Sequence, residues 1–69
     1  MEFPNYCVRF HSKNGWWDNE TYYYYTEEEA IDHMKLFEDD YNRAIAKELY
    51  EKITVKNDST EKLIAELKF

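Results

Sequence analysis

The chain is 69 residues long, with 15 acidic against 9 basic residues and a formal net charge of −6. A chain this short forms one domain and buries only about 60% of its unfolded surface, so its own core leaves little surplus stability. Its single cysteine, Cys7, excludes an internal disulfide. The overall acidity disfavours nucleic acid and anionic membrane as bulk partners, and no apolar run reaches the ~20 residues of a membrane span.

Met1 to Asn5 is short and carries Glu2, unlike a signal peptide. A lone thiol fits a reducing compartment, and we expect a cytoplasmic protein. Aromatic residues make up 19% of the chain. Their large buried areas can supplement a small core, as can a homodimer or a bound partner.

Tyr6 to Ser12 alternates, with Tyr6, Val8 and Phe10 on one face and Cys7, Arg9 and His11 on the other. That period of two predicts a half-buried strand. Asn14-Gly15 is a hairpin signal, because a type I′ turn needs positive φ at both centres. A two-residue turn there pairs Arg9 with Glu20 and Tyr6 with Tyr23. Tyr23 and Tyr25 then face the core, and Tyr22 and Tyr24 join the outer face; a bulge would exchange them.

Thr26-Glu27-Glu28-Glu29 is a capping box, in which the threonine oxygen and the third glutamate each accept from an orphan backbone N–H. The helix it opens is expected over 27–49, with Ala30, Met34, Phe37, Tyr41, Ile45 and Leu49 as one core-facing stripe. This helix also holds the charge. Together with the two residues after it, it contains Glu27, Glu28, Glu29, Asp32, Glu38, Asp39, Asp40, Glu48 and Glu51 against Lys35, Arg43 and Lys47, while acids and bases elsewhere cancel.

Alternation around Ile53 and Val55 predicts a strand over about 50–57, followed by the turn cluster Asn57-Asp58-Ser59-Thr60. Leu63, Ala65, Leu67 and Phe69 then alternate as a closing strand, although Ser59 or Thr60 could instead cap a helix of good helix formers. The hairpin reading pairs Val55 with Leu63 and Lys52 with Glu66. The expected fold is a single α+β domain over 1–69: hairpin 5–26, helix 27–49 and hairpin 50–69. This is a β-β-α-β-β antiparallel sheet with one amphipathic helix on one face.

No catalytic signature is present. Cys7 and His11 stand four apart on one strand, roughly 13 Å along it, too far to pair. Glu29 and His33 share a helix face but lack the further ligands a metal site needs. Gly15 is the sole glycine, so no phosphate-cradling loop exists. No metal or cofactor is expected, and the chain reads as a non-enzyme.

Two surfaces remain as candidates. Glu28, Asp32, Glu38 and Asp39 lie on the helix side away from Met34 and Phe37. They serve as a solubilising coat, or as a carboxylate array imitating a phosphate backbone and fitting a basic groove. Trp16 and Trp17 stand beside the hairpin turn, and neighbours on a strand point oppositely, so at least one of them is exposed or anchors a partner; the other reading is that one caps the end of the core. The alternative is a sheet face that stacks single-stranded nucleic acid on Tyr22 and Tyr24 with Arg9, Lys52 and Lys56.

No motif assigns the chain to a named family. In size, acidity and aromatic content it is similar to small phage-encoded inhibitors of host enzymes, including anti-CRISPR proteins and DNA mimics. That resemblance is one of overall character. It implies non-catalytic blockade of a nuclease or another nucleic-acid-binding protein.

Overall fold

The computed structural model describes residues 3–15 and 19–69. Its elements are β1 (Tyr6–Ser12), β2 (Glu20–Tyr24), α1 (Glu27–Lys35), α2 (Asp40–Leu49), β3 (Tyr50–Asn57) and β4 (Lys62–Lys68). The four strands form one antiparallel sheet in the order β2-β1-β3-β4. The α+β class and the two hairpins are as the sequence indicates, and the chain's last segment is a strand.

Both helices lie on one side of the sheet. Val8 and Phe10 of β1 and Ile53 and Val55 of β3 meet Ala30 and Met34 of α1, Ala46 of α2 and Tyr50 in a single buried cluster. β1 and β3 carry this core because they are the two central strands. Among the described residues no helix is long and apolar enough to cross a membrane.

Three local features depart from expectation. In the first hairpin Asn14 and Gly15 do take positive φ, 60° and 67°. The strands nevertheless pair one residue out of the expected register, with Phe10 opposite Glu20, Val8 opposite Tyr22 and Tyr6 opposite Tyr24. The Asn19 side chain accepts the Ser12 N–H at 2.9 Å, so the ladder with β2 stops at Phe10 and the connection is longer than two residues. Because side chains alternate, this one-residue slip turns every tyrosine over.

The expected single helix is two. The last turn of α1 tightens into bonds from Phe37 N–H to the Met34 carbonyl (3.0 Å) and from Glu38 N–H to the Lys35 carbonyl (3.1 Å). Asp39 then adopts an extended backbone and caps α2, its carboxylate accepting from the Asn42 N–H. An aspartate competes well for backbone donors and is a strong N-cap. The break shifts the phase of α2, and Ala46 faces the sheet instead of Ile45.

In the second hairpin Val55 pairs with Ala65 and Lys52 with Lys68. The expected partners, Leu63 and Glu66, are displaced by two. An irregularity between Val55 and Lys56 brings Leu63 opposite Lys56 and leaves Ile64 as an extra residue. Lys52 still reaches Glu66 diagonally, at 3.7 Å.

Candidate functional site

The helical side of the molecule carries its carboxylates in water. Thr26 caps α1 by accepting the Glu29 N–H, and the Glu29 carboxylate accepts from the Thr26 hydroxyl at 2.9 Å rather than from its backbone. Three glutamates thereby open the first turn, at the positive end of the helix dipole. Glu28 and Asp32 follow one turn apart on α1, about 6 Å along its axis, and both are exposed. Glu38 lies exposed in the turn between the helices. Asp39 is exposed too, but its side chain is engaged in capping α2.

The acidic set therefore turns a corner between two helices. Glu27, Glu28, Glu29, Asp32, Glu38, Asp39, Asp40 and Glu48 are all exposed, as is Glu51 in β3 just beyond α2. Among the described residues the ion pairs are Lys52–Glu66 and Lys68–Glu66, and neither uses a carboxylate of that set. Trp16 and Trp17 lie outside the described residues.

The opposite face of the sheet is free of helices. Directly opposed residues of antiparallel strands share a face, so Cys7, Arg9 and His11 stand beside Tyr23 and Thr21 on one side and Lys56, Thr54 and Lys52 on the other. Arg9 donates to the Thr21 hydroxyl at 3.3 Å, and His11 Nε2 lies 2.9 Å from the Thr54 hydroxyl. Arg9, Lys52 and Lys56 are thus grouped as expected. Tyr22 and Tyr24 are not with them, because the register slip carries both to the helical side. Tyr23 takes their place on the outer face.

The relocated tyrosines build a cluster the sequence did not reveal. His33 on α1 packs against Tyr22 (ring centroids 5.0 Å apart), Phe10 (5.4 Å) and Tyr24 (5.6 Å). Its Nδ1 is hydrogen-bonded to the Tyr24 hydroxyl at 2.7 Å. Burial among these rings lowers the His33 pKa below that of a free histidine. The spacing Tyr22, Tyr24 was visible in the sequence; the missing signal was the hairpin register.

Cys7 and His33 lie on opposite sides of the sheet and do not meet. Burial, with a smaller contribution from Asp58, raises the Cys7 pKa, which makes this thiol a weak nucleophile. Among the described residues no three of His, Cys, Asp or Glu converge as metal ligands do. An open cleft of about 400 Å³ lies between the start of α1 and the β3–β4 turn, lined by Glu27, Asn57, Thr60, Lys62, Leu63 and Ile64. It brings one carboxylate and one ammonium to a wall that is part polar (Asn57, Thr60) and part apolar (Leu63, Ile64), without a histidine or a thiol. Comparison with known proteins returns no matching family model, no matching curated protein and no matching solved structure.

Proposed function

We propose that this chain is a non-enzymatic protein-binding module whose acidic helical side engages a basic surface, in the manner of an inhibitor that occupies the nucleic-acid groove of another protein. The observation that carries this reading is the state of the eight carboxylates on α1, α2 and the turn between them: all are exposed, and none is paired with a cation among the described residues. Such a surface keeps its full field for a partner, which speeds encounter and makes capture sensitive to salt. The slip of Tyr22 and Tyr24 to the helical side parts them from Arg9, Lys52 and Lys56, so the nucleic-acid alternative keeps one outer-face ring, Tyr23, in place of the pair it named. Trp16 and Trp17 join the proposed contact on residue type alone.

The test is capture of nucleic-acid-binding proteins from lysate on immobilised wild type and on the triple variant Glu28→Lys, Asp32→Lys, Glu38→Lys. Asp39 is left intact because it caps α2. The wild type is expected to retain partners that elute as salt rises, and the triple variant to lose them while its circular dichroism is unchanged. Equal capture by both proteins would reduce the acids to a solubilising coat.

A further inference from the structure

The phase shift of α2 has left its apolar stripe without a core to enter. Tyr41, Ile45 and Leu49 recur every four residues along one side of the helix, and they are 74%, 50% and 41% exposed. The residue that does meet the core is Ala46, at 2%. Leu36, in the turn before α2, has a further apolar side chain that is 60% exposed. With 150–250 Å² for a whole aromatic side chain and somewhat less for a leucine or isoleucine, these four residues leave on the order of 400 Å² of apolar surface in water. That is the size of the largest apolar patch on a typical monomer, a patch that is often functional. It is also about half of the roughly 800 Å² that each partner contributes to a standard interface, whose remainder is polar rim.

We propose that the occupant of this stripe is a second copy of the chain, packed α2 against α2 in antiparallel fashion about a twofold axis at Ile45. The spacing makes the stripe self-complementary. Tyr41 and Leu49 are equally far from Ile45, so Tyr41 of one copy meets Leu49 of the other while the two Ile45 side chains meet each other, as an isologous contact requires. Eight residues span about 12 Å of helix, two turns, which is enough for side chains to interdigitate. The charge of −6 on each copy opposes the pairing. A screening length of about 8 Å at physiological ionic strength limits that repulsion to groups at the rim, where Glu48 is the acid of α2 nearest the stripe. A dimer also supplies the burial that a single short chain lacks. This contact uses a side of α2 distinct from Glu28 and Asp32 on α1, so it stands or falls independently of the acidic-face reading.

Sedimentation velocity on the full chain, from micromolar to submillimolar, tests it. The wild type is expected to pass from monomer to dimer, and added salt to tighten the dimer by screening. Ile45→Lys is expected to weaken self-association at least about thirtyfold, the loss of a central hot-spot side chain. Tyr41→Lys acts in the same direction, and both sites are exposed enough for the fold to survive. Lys47→Ala, on the other side of α2, leaves the dimer unchanged. A monomer throughout the range, a dimer that survives both lysine variants, or a dimer dissolved by salt would each overturn the proposal.

Discussion

Phe10→Ala is expected to remove much or all of the chain's stability at room temperature. Phe10 is buried at the centre of the helical side of β1. Its ring contacts Phe37 (5.0 Å between centroids), Tyr50 (5.3 Å) and Tyr22 (5.7 Å) edge-on, and His33 at a tilt. It therefore joins α1, the turn between the helices, β2 and β3 at one point. Removing a buried phenylalanine costs about 3–5 kcal/mol. A domain of this length is stable by only about 3–10 kcal/mol in all, so one truncation consumes much or all of that. Ile53→Val deletes a single methylene from an equally buried site and should cost about 0.5–1.5 kcal/mol. Urea titration followed by circular dichroism separates the two. A loss below about 1 kcal/mol for Phe10→Ala would mean that the ring cluster is not the core.

Acidification is expected to destabilise the fold below about pH 6.5, the ordinary histidine pKa. Burial lowers the pKa of His33. Burial first, then Lys52 and Arg9, lowers that of His11, against weaker opposing effects of Glu51 and Glu66. As pH falls through the unfolded-state value, the unfolded chain takes up protons that the folded chain refuses, so stability falls with pH; above that value the contribution is fully present. For one such histidine the slope has a ceiling of about 1.4 kcal/mol per pH unit, on the order of 6–11 °C in Tm for a domain of this size, and the partial exposure of both rings screens it below that ceiling. His33→Gln keeps a hydrogen-bonding partner for the Tyr24 hydroxyl and removes the titration, so its Tm should fall less steeply between pH 7.5 and 5.5. An unchanged slope in that variant would remove His33 from the account.

What could be read from the sequence was local. Alternation about Val8 and about Ile53, the Thr26 cap and the Asn57–Thr60 turn each depend on a few neighbouring residues. All four lie where the pattern puts them. What could not be read depends on competition between distant groups. The Asn19 side chain takes the Ser12 N–H, and with it the register that decides which of Tyr22 to Tyr25 face the helices. The second hairpin is already one residue out where Asn57 pairs with Lys62, and the irregularity beside Lys56 that absorbs Ile64 makes it two. The helix break did leave a trace: Asp39 stands three residues before Asn42, as an N-cap does. The apolar spacing of Met34, Phe37, Tyr41 and Ile45 runs across it and argues for continuity. Tertiary packing settles the conflict by bringing the small Ala46 to the core and leaving the larger side chains outside.

Both surfaces described above depend on that break. It turns the acidic set through a corner at Glu38 and Asp39, and it leaves Tyr41, Ile45 and Leu49 in water. Nuclear Overhauser spectroscopy on methyl-labelled protein, at a concentration where the chain is monomeric, tests it most directly. The account predicts cross-peaks from the Ala46 methyl to the core it shares with Ile53 and Val55, and none from Ile45 to the sheet. Strong cross-peaks from Ile45 and Leu49 to those core residues, with Ala46 silent, would show one uninterrupted helix and contradict it.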